Sequence, residues 1–251
     1  MIIEKLLKSI RPGKILQVQV GMSRTAVVAE TEAGITCGLA ATFNNPHEDH
    51  HVHPSVSKAG QLLELSSMDL ASLINSASLT EVTIGLATIN ALLPGIVHFS
   101  KQLNGHDYLL EHGRNKNIAM IGHFPFTELL RSAAKNLWTL ELSPKPGDIP
   151  ADQAPEYLPK ADIIAITATT IINKTFDSLI TYCRPESTVI MLGPSTPLSP
   201  VLFQSGVTAL SGTRVLDVEG TIIGIAQGSS THQLKERGMI EYITARAEKS
   251  T

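Results

Sequence analysis

The stretch Thr188-Val189-Ile190-Met191-Leu192-Gly193-Pro194-Ser195-Thr196-Pro197-Leu198-Ser199-Pro200 carries the clearest structural signal in this chain. Its first five residues form an apolar run that predicts a buried strand, and the residues after it predict the start of a helix. Three prolines between them fix the backbone at the carboxyl edge of a sheet, where ligands bind in open α/β proteins. We therefore expect a rigid wall of a small-molecule pocket here. The residues expected to line it are Gly193, Pro194, Ser195 and Thr196.

Further strands and helices alternate around this stretch in the second half of the chain. Strands are predicted at 118–122, 137–142, 162–167 and 188–192, and helices at 127–135, 174–183 and 198–205. We also expect a strand pair within 209–218 and a last helix at 233–247. Such alternation is typical of a parallel sheet with crossover helices and predicts an α/β unit over residues 101–251.

The first half of the chain follows a different pattern. Apolar residues at helical spacing predict a helix over residues 1–10. Three short segments with strand patterns follow near 14–20, 25–29 and 35–40 and predict an antiparallel meander. Two helices are expected near 68–77 and 79–93. The pattern predicts a small α+β domain over residues 1–100, joined to the second domain through the polar stretch 98–117.

Composition excludes several classes of protein. A formal net charge of −3 over 251 residues, with no basic run, gives no electrostatic reason to expect nucleic acid or an anionic membrane as partner. The apolar runs are too short to span a bilayer, and the N-terminus does not predict a signal peptide, so we expect a cytoplasmic protein. The chain has only two cysteines, Cys37 and Cys183, which argues against a disulfide framework. The sequence does not decide whether these two form a single disulfide bond. The sequence also leaves a homo-oligomer open.

Two candidate residues follow predicted strands of the second half. Gly122-His123-Phe124-Pro125-Phe126 contains one glycine where a dinucleotide fingerprint needs three, which disfavours NAD and a methyltransferase-like nucleotide site. His123 lies where it can exchange a proton with a ligand, or instead cap a helix or bind a carbonyl group, and both interpretations stay open. Glu141 ends the next strand, where a ligand contact is favoured over a solvated carboxylate. We expect Gly122 and Phe124 to line the same pocket.

A third group of candidates carries hydroxyl and amide side chains at the end of the strand near 162–167. Thr167, Thr170 and Asn173 are expected to contact the ligand. The competing interpretation is structural, because Asn is a good N-cap and Thr is common in strands. A helix N-terminus can also bind an anion, so the two interpretations are compatible.

A loop in the first half is rich in histidine. Pro46-His47-Glu48-Asp49-His50-His51-Val52-His53-Pro54 offers imidazole and carboxylate groups that suit a divalent transition metal such as Zn²⁺, Ni²⁺, Cu²⁺ or Fe²⁺. The candidate metal ligands are His47, His50, His51 and His53. The alternatives are adventitious metal binding and a solvated lid. The two cysteines are expected to be core thiols.

Four motifs together resemble a known family. They are Ile84-Gly85-Leu86-Ala87-Thr88-Ile89-Asn90-Ala91, then Gly122-His123-Phe124-Pro125, then Leu140-Glu141-Leu142-Ser143-Pro144 with Gly147-Asp148-Ile149-Pro150, and Leu192 to Pro200. In this order they resemble the "putative heavy-metal chelation" family, domain of unknown function 364, with its N-terminal companion domain 4213. The resemblance covers most of the chain. It implies an enolase-N-terminal-like domain joined to a Rossmann-like domain, with the ligand site between them.

The resemblance also implies a function. It points to condensation or hydrolysis of a pterin-, flavin- or siderophore-like molecule linked to heavy-metal chelation. We expect His123 and Glu141 to be the catalytic groups, in acid–base or orienting roles. The alternative is a non-catalytic binder or carrier of a metal or metal chelate. By similarity, Asn90 faces the cleft, unless it forms an interface hydrogen bond instead. The cofactor stays unknown, with a divalent transition metal as the candidate.

Overall fold

The computed structural model describes residues 1–43, 55–95, 100–101 and 104–247. Within these residues the chain forms a three-stranded antiparallel sheet and an eight-stranded, mostly parallel sheet. The α/β class expected from the sequence is therefore confirmed. The histidine-rich loop, with His47, His50, His51 and His53, lies outside the described residues.

The first sheet has the order β1-β2-β3 and is covered by helices. Its elements are α1 (Ile2–Ser9), β1 (Lys14–Val20), β2 (Arg24–Thr31), β3 (Gly34–Ala41), α2 (Ser67–Ser72) and α3 (Leu79–Leu92), with 3-10 turns at Leu62–Glu64 and Leu73–Asn75. Helix α3 packs so closely on β3 that a Cβ atom at Gly38 would lie 2.2 Å from the carbonyl oxygen of Ala87. Glycine is therefore required at this contact.

The second sheet has the order β4-β11-β10-β9-β8-β5-β6-β7. Its strands are β4 (Ser100–Lys101), β5 (Asn117–Ile121), β6 (Asn136–Glu141), β7 (Ile149–Pro150), β8 (Ile163–Thr167), β9 (Thr188–Leu192), β10 (Ala209–Val215) and β11 (Ile240–Arg246). The helices between them are α4 (Gly105–Gly113), α5 (Thr127–Ala133), α6 (Ala154–Tyr157), α7 (Thr169–Ile172), α8 (Phe176–Thr181), α9 (Pro200–Phe203), α10 (Val218–Ala226) and α11 (Thr231–Glu236), with 3-10 turns at Ala151–Gln153 and Leu158–Lys160.

The order of the parallel strands reverses at β5. From β5 the chain first adds β6 and β7 on one side, and then adds β8, β9 and β10 on the other. The loops that leave β5 and β8 therefore diverge from neighbouring strand ends and open a crevice between them. Ligands bind at such switch points, outside the carboxyl ends of the strands.

The structure corrects several of the predicted elements. The helix expected at 233–247 is wrong, because α11 ends at Glu236 and the chain continues as β11 after Gly238, whose φ of 72° breaks the helix. The strand pair expected within 209–218 is also wrong. β10 is one strand whose antiparallel partner is β11, and the next segment forms α10. The polar stretch 98–117 contains α4, and the helix expected at 174–183 begins only at Phe176.

One hydrophobic core extends across both halves of the chain. It joins side chains from α1 and α3, such as Leu6 and Leu86, to side chains around β8 and α9, such as Ile164 and Leu202. The N–H of Ile2 also donates to both carboxylate oxygens of Asp177, at 2.9 and 3.2 Å. The two sheets therefore pack as parts of one body, and the domain boundary near residue 100 stays a prediction. No helix in the described part of the chain is long and apolar enough to cross a bilayer.

Candidate functional site

A cleft of about 860 Å³ opens where β5, β8 and β9 end. The loops after these strands form its walls, and Arg24 and Ala41 reach it from the first sheet. Two glycines give the loops their direction, because Gly122 (φ 94°) and Gly193 (φ 118°) adopt a backbone conformation that other residues rarely reach. A cleft of this size is within the range of small-molecule sites.

The structure brings six of the predicted site residues to this cleft, one predicted as catalytic and five as ligand-binding. These residues are His123, Phe124, Thr167, Gly193, Pro194 and Ser195. Gly122 precedes the lining, and its N–H donates to the carbonyl oxygen of Leu140 at 3.0 Å. These residues of the strand-end loops therefore lie together around one cleft. Their binding of a ligand stays a prediction.

Four other predicted residues lie outside the lining of the cleft. The hydroxyl of Thr170 donates to the carbonyl oxygen of Thr167 at 2.7 Å, and the Asn173 amide oxygen accepts from the hydroxyl of Thr175 at 2.7 Å. Thr170 thus lies in α7 and Asn173 is its C-cap, so neither has the strand or N-cap role that the sequence left open, and their ligand contact stays a prediction. Asn90 and Thr196 line a second, smaller cavity.

His123 is held between two carboxylates. Glu141 Oε1 accepts from the backbone N–H of His123 at 2.8 Å and lies 2.9 Å from its Nδ1. Asp148 Oδ1 lies 3.2 Å from Nε2, and its other oxygen accepts from the N–H of Lys145 at 2.8 Å. Glu141 and Asp148 are not among the residues that line the cleft. The arrangement therefore fixes the ring and backbone of His123.

Asp148 contacts His123, a role that was not predicted from the sequence motif in which Asp148 occurs. Its carboxylate is 5% exposed and closes a turn that contains Gly147, with a φ of 94°. The sequence signal for this turn was the pair Gly147-Asp148 directly before a short strand. Asp in such turns often accepts hydrogen bonds from backbone N–H groups. Only the folded chain shows that this turn meets the loop after β5.

His106 is a second histidine in the cleft, and the sequence reasoning missed it. It lies in the first turn of α4, with Nδ1 3.3 Å from Asp107 Oδ1 and its ring 4.9 Å from that of Phe126. Its Nε2 is buried and has no hydrogen-bond partner among the residues that the structure describes. The sequence signal for this helix was Asn104, a good N-cap residue, whose side-chain oxygen accepts from the N–H of Asp107 at 2.9 Å.

An aromatic wall lies beside His106. The rings of Phe124 and Phe126 stack with centroids 5.4 Å apart and planes inclined by 20°. Pro125 and Leu129 extend this apolar side of the cleft. Arg24 also lines the cleft. It donates to the hydroxyl of Thr231 at 2.5 Å, and burial lowers the pKa of this guanidinium from its ordinary value. The cleft thus combines flat apolar surface with a few polar groups.

The described residues do not supply a metal centre. No group of three or more His, Cys, Asp or Glu side chains within them is placed to hold an ion. Cys37 and Cys183 are free thiols, and burial raises their pKa values to about 12 and about 11, so both stay protonated near neutral pH. A metal therefore does not fit this part of the chain, and the four histidines of the predicted metal loop lie outside it.

Comparisons with known proteins extend these observations. The model of the DUF364 family, described as "Putative heavy-metal chelation", matches residues 104–244, and that of DUF4213, with the same description, matches residues 3–93. An uncharacterised protein of Methanocaldococcus jannaschii is 26% identical over 231 residues, which cover 88% of this chain and 86% of that protein.

Two crystal structures share the fold along nearly the whole chain. A DUF364 protein of unknown function from Desulfitobacterium hafniense superposes with a TM-score of 0.79 at 25% identity, and covers 98% of each chain. One from Pyrococcus horikoshii gives a TM-score of 0.78 at 20% identity, again over 98% of each chain. The resemblance seen in the sequence motifs is therefore confirmed.

Proposed function

Because this chain belongs to the DUF364 family, whose description concerns heavy-metal chelation, we propose that it is an enzyme acting on a small, flat organic molecule. The molecule is of the pterin, flavin or siderophore type and binds in the cleft at the ends of β5, β8 and β9. The reaction class is condensation or hydrolysis, linked to the handling of heavy-metal chelates.

The shape and chemistry of the cleft support a flat ligand. Stacked Phe124 and Phe126 offer ring faces on which a heterocycle can pack in the offset geometry that aromatic rings prefer. The hydroxyl groups of Thr169 and Ser211 line the same space and can hydrogen-bond to polar edges of such a ring. A few convergent polar groups in a mostly apolar cleft are typical of a small-molecule site.

The unpartnered Nε2 of His106 is the observation that carries this proposal. With Nδ1 protonated and 3.3 Å from the Asp107 carboxylate, Nε2 keeps its lone pair. A rotation of the ring that exposes this buried atom to the cleft lets it take a proton from a ligand hydroxyl, an amide or an attacking water. The proton returns to the leaving group from the same nitrogen. His106 is thus the acid–base group of the proposed reaction.

His123 and Glu141 have a positioning role in this proposal. Glu141 accepts from both the backbone and the ring of His123, so it fixes the start of the loop that carries Phe124 and Phe126. Asp148 holds the opposite ring nitrogen. The catalytic role expected for His123 from the sequence is tested by the His123→Gln variant.

A second candidate is a non-catalytic carrier of a metal chelate. Arg24 lines the cleft and supplies a positive charge. Siderophore-type chelates with catecholate or hydroxamate groups carry negative charge, so this guanidinium favours them as ligands. In this case the metal arrives inside the ligand and needs no side-chain ligands from the cleft.

Native mass spectrometry and elemental analysis of the freshly purified full chain test both candidates. For the enzyme, we expect a bound organic molecule, and turnover of a pteridine, flavin or siderophore-type compound in a chromatographic screen. His106→Gln should remove turnover while the ligand stays bound, and His123→Gln should raise KM more than it lowers kcat. Lys5→Gln, at an exposed position on α1 that lines neither cavity, is the control.

The outcomes separate the candidates. Stoichiometric metal bound together with an organic chelator, and no turnover in any variant, supports the carrier. Unchanged turnover in His106→Gln contradicts the assigned acid–base group. A chain that binds no compound of the screen and carries no metal contradicts both candidates.

Three further assignments belong to the same proposal. We describe residues 1–100 as enolase-N-terminal-like and residues 101–251 as Rossmann-like, on the family resemblance and the sheet order. We place the protein in the cytoplasm, without nucleic acid or membrane as partner. The sequence does not decide whether the chain forms a homo-oligomer, and light scattering measures its oligomeric state.

A further inference from the structure

A second cavity, of about 280 Å³, lies beyond the proline loop 193–200. Strand β3, the end of α3 and strand β10 enclose it, and Pro194 lines both this cavity and the larger cleft. The loop is therefore a partition between two spaces. The smaller space is just below the range of about 300–1,000 Å³ typical of ligand sites, so it suits a compact molecule.

Two polar atoms of its lining residues are buried without a partner among the residues that the structure describes. These atoms are Asn90 Oδ1 and Thr196 Oγ1. The Asn90 amide nitrogen donates to the carbonyl oxygens of Leu39 at 2.8 Å and Ser195 at 3.1 Å, which fixes the orientation of the amide and leaves Oδ1 as an acceptor. Thr196 is only 3% exposed. Such groups cost stability unless something binds them.

The remainder of the lining is apolar or electrically neutralised. Leu39, Leu198 and Val215 supply aliphatic surface. Arg214 also lines the cavity, but Glu241 accepts from its guanidinium through both Nε and Nη2. A neutral ligand therefore suits this space better than an ion.

We propose that this cavity is a second binding site, for a small neutral amide or lactam. The ligand N–H donates to Asn90 Oδ1, the Thr196 hydroxyl donates to the ligand carbonyl oxygen, and the carbon skeleton packs on the aliphatic wall. An amide carries its donor and acceptor next to each other, which matches one open acceptor and one open hydroxyl. This site is independent of the function proposed for the larger cleft.

The test uses δ-valerolactam as probe and the full-length, isotope-labelled protein. We expect saturable shifts in NMR spectra at Thr196, at Gly38 and at the side-chain amide of Asn90. N-methyl-δ-valerolactam lacks the N–H group and should bind about fivefold to tenfold more weakly, as expected for one lost hydrogen bond.

Thr196→Val removes the unpartnered hydroxyl at nearly constant volume. Because the hydroxyl has no partner to lose within the described chain, the variant should be as stable as the wild type or more stable, and should bind the lactam about fivefold more weakly. Thr36→Val is the matched control. Thr36 lines the same cavity, but its hydroxyl already donates to the carbonyl oxygen of Ala29 at 3.2 Å, so the affinity should stay within about twofold.

The proposal is overturned by the absence of a saturable NMR shift, by equal binding of the N-methyl compound, or by unchanged affinity in Thr196→Val. It is also overturned if the NMR shifts map to Phe124 and Phe126 instead. An ordered water on Asn90 Oδ1 and Thr196 Oγ1 that the lactam cannot displace also overturns it. None of these results affects the turnover screen, so failure here is distinguishable from failure of the proposed enzyme.

Discussion

The hydroxyl oxygen of Ser195 accepts a hydrogen bond of 2.7 Å from the backbone N–H of Ala41. Ser195 belongs to the proline loop of the second sheet and Ala41 ends β3, an edge strand of the first sheet. The bond therefore joins the two parts of the chain directly at the cleft, since both residues line it. It also occupies a backbone donor on this edge strand.

Ser195→Ala should lower the free energy of unfolding by about 1 kcal/mol, because the N–H of the half-buried Ala41 loses its acceptor. Urea denaturation measures the loss. Ser178→Ala, at an exposed position on α8, should change stability by less than about 0.5 kcal/mol. Equal stabilities of the two variants would show that the bond contributes nothing.

Glu81 should make stability depend on acid pH. Burial raises the pKa of this carboxyl, but hydrogen bonds from Ser57 and Ser76 outweigh that effect and lower it below the ordinary value. A depressed pKa in the folded state gives stability that is present above the unfolded pKa, about 4.3, and is lost as pH falls through the folded value.

Glu81→Gln should therefore cost about 1–3 kcal/mol at pH 7, and its difference from the wild type should narrow below about pH 4. Urea denaturation at both pH values measures this, with the exposed Glu64→Gln as control. A difference that stays constant between these pH values contradicts the assigned hydrogen bonds.

The two cysteines should react slowly in the folded protein. Burial raises the pKa of Cys37 to about 12 and that of Cys183 to about 11, and the thiolate is the form that reacts. Mass spectrometry after iodoacetamide treatment at pH 8 should show little labelling without denaturant and two labels with it. As pH rises, Cys183 should label before Cys37. Labelling of the folded chain as fast as free cysteine would refute this.

Phe126 should contribute to binding of a flat ligand. Phe126→Leu removes a ring that stacks on Phe124 and contacts His106, and should weaken lumazine, a pterin-like probe, about twofold to tenfold. Fluorescence titration measures the affinity. Phe203→Leu is the control, because Phe203 packs against the main core and does not line the cleft. Equal affinities of the two variants would exclude a stacking role for Phe126.

The wall of the cleft could be predicted from sequence because its signal is local. A buried strand that ends in Gly193 and Pro194 must turn at the sheet edge, and that edge is a general ligand position in α/β folds. The same reasoning placed His123 and Thr167, each at or just beyond the end of a parallel strand. These residues need no knowledge of distant contacts.

The missed features depend on contacts between distant segments. His106 lies in a polar stretch that shows no strand signal, and only the packing of Gly105 against Leu192 brings it to the cleft. The pairing of β11 with β10 likewise decides that residues 240–246 form a strand and not a helix. Asn90 was expected to face the cleft or to form an interface hydrogen bond. It lines the second cavity, and its amide nitrogen donates to the carbonyl oxygen of Ser195, which is the interface bond.

Pro194 borders two separate spaces, so one short segment of backbone is touched from both sides. An occupant that displaces this segment alters the affinity of the opposite space, and thermodynamic linkage makes the factor identical in both directions. The two spaces are therefore coupled whenever an occupant displaces this segment, and they stay independent while the segment keeps its place.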